Sequence, residues 1–320
     1  MPRSRRLAAM MNSSIASLLK RLPLTLAIGT TLTLGATASA SAQDWAKESL
    51  AKSPRHGEYV TIKEPSGRSL QAWVVYPEVK GKASVVVMIH EIFGLSDWAR
   101  EMADELAGAG YIVVAPDLLS GFGPIAGAPA MPAGAPMDHD HMQMGAGSGA
   151  AFGPATPGGS SAFPDQGSIT KAVSSLDAGI VTADLDAASD YGKKLPAANG
   201  KLFVAGFCWG GGKTFMFATH RKDLSGAMVF YGPPPPADTM KSITAPVYGF
   251  YAGNDARITA TVPDTTAAMK TAGKTYDPQI YDGAGHGFMR AGEAPDASAE
   301  NAAARASGFR RFVDLLGGVK

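Results

Sequence analysis

The sequence predicts an α/β fold: a doubly wound, mostly parallel sheet with helices on both faces. Three observations predict it. Short β-branched runs alternate with longer stretches of helical periodicity, the signature of strand–helix–strand units. The run Ser84–His90 is continuously apolar with three valines, as a strand buried on both faces should be. And with 45% hydrophobic and 18% charged residues, the 320-residue chain can bury a sizeable core.

The elements follow in order. Tyr59–Lys63 and Ser69–Tyr76 read as strands joined by the turn Pro65-Ser66-Gly67. After Ser84–His90, Ser96 can cap a helix over Asp97–Ala109 that stops at Gly110. Tyr111–Ala115 is a short buried strand ended by Pro116. Residues 169–191 place Ile169, Val173, Leu176, Ile180, Leu185 and Ala188 near helical spacing and predict one helix. Leu202–Ala205 predicts a strand and Gly211–Thr219 a helix beneath it. Further strands are expected at Ala227–Tyr231, Val247–Tyr251 and Tyr276–Tyr281, and a closing helix at Ala299–Leu316.

Residues 1–42 read as a signal peptide, leaving a single domain over 43–320. Arg3, Arg5, Arg6, Lys20 and Arg21 precede an apolar stretch from Leu22 to about Leu34, and Ala38-Ser39-Ala40-Ser41-Ala42 has the small residues of a cleavage site. The apolar stretch is too short, and too rich in Thr and Gly, for a comfortable membrane span. Cleavage is expected after Ala42, with Ala40 second; Sec and twin-arginine routes both stay open. The expected location is periplasmic or secreted, without stable membrane association after processing. The removed segment holds five of the 29 Lys/Arg and none of the 28 Asp/Glu, so the remainder carries a net charge of −4. No basic field suited to nucleic acid exists.

Gly121–Ser168 breaks the rhythm. It carries eleven Gly and seven Pro, has little periodicity and reads as a long inserted loop. Inside it, Met137-Asp138-His139-Asp140-His141-Met142-Gln143-Met144 groups imidazoles and thioethers that a transition metal would accept. A polar tip is the preferred reading, because alternation in a loop imposes no ligand geometry.

The chemistry centres on Cys208, the only cysteine. Gly206-Phe207-Cys208-Trp209-Gly210 has the G-x-S-x-G spacing of a nucleophile elbow, with Cys in the Ser position. A strand, a sharp turn and a helix start would expose the sulfur over backbone N–H groups that favour a thiolate and a developing oxyanion. A thiolate nucleophile needs a base, and the base needs an orienting acid. Asp255, just past one predicted strand, and His286, in the Gly-rich loop past the next, complete the order nucleophile, acid, histidine. The competing readings are a buried thiol, a helix-capping or turn aspartate and an exposed loop histidine.

Beyond these residues, the chain resembles the dienelactone hydrolase family of α/β-hydrolases from about Glu58 to Leu316, apart from the inserted loop. The resemblance rests on His90-Glu91-Ile92-Phe93-Gly94-Leu95, Ala115-Pro116-Asp117-Leu118, Gly206-Phe207-Cys208-Trp209-Gly210-Gly211 and Gly285-His286-Gly287-Phe288. It implies an α/β-hydrolase fold and a Cys208–His286–Asp255 triad. It further implies that Glu91 lies beside the resting thiol and gates its ionisation, that the N–H groups of Ile92 and Trp209 form the oxyanion hole, and that Arg290 grips a substrate carboxylate. A helix cap is the competing role for Glu91. The family's other carboxylate-binding arginine has no counterpart, since no Lys or Arg lies between Glu101 and Thr170; Lys171 is the nearest substitute.

The expected activity is hydrolysis of a small-molecule lactone or carboxylic ester, of the carboxymethylenebutenolidase type, through an acyl-enzyme. No cofactor and no metal is needed for it, and the resemblance implies a monomer. The alternatives are a non-catalytic binder of carboxylated ligands on a hydrolase fold and a metal-handling protein working through His139 and His141.

Overall fold

The computed structural model describes residues 43–124 and 152–318. The predicted signal segment and the His139/His141 group lie outside the described residues. The chain runs α1 (Asp44–Lys52), β1 (Gly57–Lys63), β2 (Ser69–Val75), β3 (Ala83–Ile89), α2 (Asp97–Gly108), β4 (Ile112–Pro116), β5 (Ser120–Pro124), β6 (Phe152–Gly158), α3 (Gln166–Ser174) and α4 (Ala178–Lys194). It continues through β7 (Ala198–Phe207), α5 (Trp209–His220), β8 (Gly226–Phe230), β9 (Val247–Ala252), α6 (Ala256–Thr259), α7 (Val262–Thr271), β10 (Tyr276–Tyr281), α8 (Phe288–Ala291) and α9 (Ala299–Gly318).

Eight strands form one sheet in the order β1-β2-β4-β3-β7-β8-β9-β10. The β1/β2 and β2/β4 pairs are antiparallel, and every pair from β4/β3 to β9/β10 is parallel. This is the α/β-hydrolase fold. Strand alternation divides the core into two layers. Val85, Val87 and Ile89 of β3 face one layer with Val181, Leu185 and Ala188 of α4 and Phe215 of α5. Val86 and Met88 face the other, with Trp98 and Met102 of α2 and Phe312 and Leu316 of α9. Burial on both faces explains why the central strands read as unbroken apolar runs.

Two expectations are corrected. Residues 169–191 are not one helix. Asp177 accepts hydrogen bonds from the N–H groups of Gly179 and Ile180 at 2.8 and 3.1 Å, so the chain stops at Ser174 and restarts as α4 with a fresh cap. The buried Val173 and Leu176 keep helical spacing across the break, which the periodicity alone does not reveal. Nor is all of Gly121–Ser168 loop. Its ends pair as the antiparallel β5/β6 ribbon, a 3₁₀ turn spans Ser160–Ala162, and α3 begins at Gln166. The rings of Phe122 and Phe152 meet edge to face at 5.3 Å and Arg68 lies over Phe122, so aromatic contacts hold a ribbon that Gly and Pro obscure in the sequence.

Candidate active site

Helix α5 starts abruptly because Cys208 turns the chain. Its backbone has φ 56° and ψ −116°, a conformation that L-residues adopt only under constraint. The constraint is close packing of β7 and α5 through glycine. A Cβ on Gly206 would lie 2.3 Å from the Gly210 carbonyl oxygen, and one on Gly210 would lie 2.3 Å from that of His90. The Cys208 N–H is held by the Phe230 carbonyl at 3.0 Å, fixing the turn to the end of β8. The half-buried sulfur therefore sits at the N-terminus of α5, where the helix dipole favours negative charge.

Asp255 follows β9 and His286 follows β10, two neighbouring parallel strands that end on the same edge as β7. Asp255 is buried, and its Oδ2 accepts from His286 Nδ1 at 2.5 Å. His286 Nε2 lies 3.1 Å from Cys208 Sγ. Burial opposes charge on the imidazole, but the contacts with Asp255 and Cys208 outweigh it and raise the pKa of His286 to about 10. Burial likewise pushes the Asp255 carboxyl up; its hydrogen bond to His286 prevails, and the net shift is downward. The three groups thus form a line in which an imidazolium is held between carboxylate and sulfur.

Glu91 follows β3 and is buried. Its Oε2 accepts from Arg290 Nε at 2.7 Å and its Oε1 from the Tyr231 hydroxyl at 3.3 Å. Arg290 and Tyr231 hold the carboxylate and His286 meets the thiol; among the described residues Glu91 and Cys208 share no hydrogen bond. Burial works against the Arg290 charge, yet Glu91 outweighs it and raises the pKa. The guanidinium lies 4.8 Å over the Phe93 ring. Among the described residues its two terminal nitrogens make no hydrogen bond. The N–H of Trp209, first residue of α5, has no intrahelical acceptor, and the Ile92 N–H makes no hydrogen bond among the described residues. Lys171 is exposed on α3.

A sequence profile of the dienelactone hydrolase family matches residues 70–319. The chain belongs to the dienelactone hydrolase family. A relative from Methylorubrum extorquens is 28% identical over 257 residues, covering 77% of this chain and 75% of its own. The carboxymethylenebutenolidase of Pseudomonas putida is 27% identical over 266 residues, covering 81% of this chain and 95% of its own. A crystal structure from Klebsiella pneumoniae, 23% identical, superposes with a TM-score of 0.63 over 82% of this chain and 98% of its own, a likeness of fold.

Sequence reasoning missed Tyr231. This buried residue has φ 39°, and its ring meets those of His286 and Phe288 edge to face at 5.1 and 5.3 Å. Burial, then the Glu91 charge, push its phenol well above the usual range, so its hydroxyl remains a donor to Glu91. The available signal was an aromatic residue closing the predicted strand Ala227–Tyr231, on the same edge as Cys208. For metal, the described residues offer the group Glu101, Glu105 and Glu293, with ligand atoms within 4.8 Å of one another. Arg305 already pairs with Glu105 and Glu293.

Proposed function

We propose that the protein hydrolyses enol lactones and carboxylic esters through an acyl-enzyme on Cys208. The observation that carries this reading is the line of contacts from Asp255 Oδ2 to His286 Nδ1 at 2.5 Å and from His286 Nε2 to Cys208 Sγ at 3.1 Å, with the sulfur at a helix N-terminus. The Cys208 thiolate attacks the acyl carbon and forms the C–S bond. The carbonyl oxygen takes the negative charge and accepts from the N–H groups of Ile92 and Trp209, each such donor typically worth about 2.7–4 kcal/mol. The tetrahedral adduct collapses, the C–O bond breaks, and the leaving enolate or alkoxide takes the Nε2 proton of His286. Neutral His286 then removes a proton from water, the hydroxide attacks the thioester, and the acid departs as the thiolate re-forms. Asp255 keeps the Nδ1 proton in place throughout.

The name of the Pseudomonas putida relative supports an enol-lactone substrate, and the uncommitted terminal nitrogens of Arg290 support a substrate that carries a carboxylate. Export with cleavage after Ala42, and action as a monomer in the periplasm or outside the cell, belong to the same reading; N-terminal sequencing and size-exclusion chromatography of the secreted form test them. The function itself is tested by turnover of enol lactones and aryl esters. Cys208→Ala should abolish it. Unchanged turnover in that variant refutes the mechanism, and a wild-type protein that is stabilised by carboxylated lactones yet hydrolyses none is a binder.

A further inference from the structure

One buried titratable side chain beside the site takes no part in the mechanism above. His90 is fully buried at the end of β3. Its Nδ1 lies 2.7 Å from the carbonyl oxygen of Glu91. A carbonyl oxygen only accepts, so Nδ1 carries the proton and donates. Nε2 is buried and has no partner among the described residues. Burial lowers the pKa of the ring despite the opposing charge of Asp117, consistent with a neutral imidazole.

The Glu91 carbonyl and the Ile92 N–H belong to one peptide plane. In a trans peptide the C=O and N–H vectors are antiparallel, so holding the oxygen sets the direction of the hydrogen. The same oxygen accepts from the Gly94 N–H at 3.2 Å, which closes the turn after β3. The His90 ring also stacks on Trp209, with centroids 5.8 Å apart and planes 10° from parallel. Its own carbonyl oxygen lies where a Cβ on Gly210 would have to go. One residue thus touches the turn bearing Ile92 and the first turn of α5 bearing Trp209.

We propose that His90 is a positioning residue for the oxyanion hole: its Nδ1–H holds the Glu91 carbonyl and thereby orients the Ile92 N–H, while its ring braces Trp209. This rests on the proposed Cys208 mechanism, in which those two N–H groups receive the oxyanion. It also gives a reason for a buried imidazole at a place where an apolar side chain would pack without an orphaned nitrogen.

The test compares His90→Asn with His90→Gln. Both introduce the same primary amide. Asn places its N–H₂ where Nδ1 stands; Gln places it near Nε2. Filling space alone would favour the larger Gln. With an aryl ester, Asn is expected to keep a kcat at least tenfold above that of Gln, with KM values within about twofold, because an oxyanion donor acts in the transition state. The alkylation rate of Cys208 by iodoacetamide, which builds no oxyanion, should agree within about twofold among wild type and both variants. Equal kcat values, or Gln above Asn, overturn the proposal, as does a loss of alkylation that matches the loss of kcat. If Gln accumulates unfolded, Asn against wild type decides: more than a tenth of wild-type kcat supports it and less overturns it. Cys208→Ala, assayed alongside, keeps the two readings apart. Unchanged turnover there defeats the nucleophile assignment, whereas an inactive Cys208→Ala with Gln at or above Asn defeats the His90 inference alone.

Discussion

Replacing Arg290 with Met leaves the Glu91 carboxylate, only 3% exposed, without its cation. The nitrogen–oxygen distance is 2.7 Å. At an effective dielectric of about 20, Coulomb's law gives roughly 6 kcal/mol of gross attraction at that distance. The guanidinium keeps some solvent contact, its side chain being 27% exposed, so part of that attraction is screened. Breaking a buried pair from one side typically costs about 3–5 kcal/mol; with the screening, about 2–4 kcal/mol is expected for Arg290→Met. The lost stacking on Phe93 accounts for about 0.5–1 kcal/mol of it, and Phe93→Leu measures that share. Adding Glu91→Gln removes the stranded charge, so the double variant should recover much of the stability. The assay is equilibrium urea unfolding at pH 7 of all four proteins of the cycle. A loss below about 1 kcal/mol in Arg290→Met, or additivity of the two substitutions within about 0.5 kcal/mol, would refute a coupled buried pair.

The remaining predictions concern the triad and the elbow. Asp255→Asn should lower kcat by about 10³–10⁴-fold through loss of the correct His286 tautomer, with KM little changed in steady-state kinetics; a loss under tenfold contradicts the orienting role. The raised pKa of His286 means that its charged form stabilises the fold: the contribution is complete below about 6.5, shrinks as pH rises and is gone above about 10. The urea midpoint of the wild type should therefore fall from pH 7.5 to 10.5 more steeply than that of His286→Asn, and parallel profiles would count against the ion pair. Gly210→Ala puts a Cβ 2.3 Å from the His90 carbonyl oxygen and 2.5 Å from that of Ile89, backbone atoms that cannot swing aside. It should cost about 3 kcal/mol or more in urea unfolding and slow Cys208 alkylation, and a neutral effect would mean that β3 and α5 are not in such close contact.

What the sequence determined by itself is what local chemistry and period encode. Valines at 85–87 can only be a strand buried on both faces, and Gly206, Cys208 and Gly210 spell a turn that no side chain but hydrogen tolerates at its flanks. Asp255 and His286 were legible because each directly follows a strand of a parallel sheet, and parallel strands end on one edge. Boundaries set by a single competing cap escaped: Asp177 interrupts a periodicity that runs on unbroken through Val173, Leu176 and Leu185. The β5/β6 ribbon escaped because pairing between backbones leaves little trace in a stretch of Gly and Pro.

Only the tertiary structure decided the pairings of charge and hydrogen bond. That Glu91 meets Arg290, 199 residues away, and Tyr231 is a fact of side chains converging from the ends of β3 and β8 and from α8. No spacing along the chain records it, because the partner of a buried carboxylate is chosen by which donor lies within about 3 Å in space. The same holds for His90. Its place in the sequence, next to Glu91, is plain, but the hydrogen bond that gives it a task depends on how the peptide after β3 is turned.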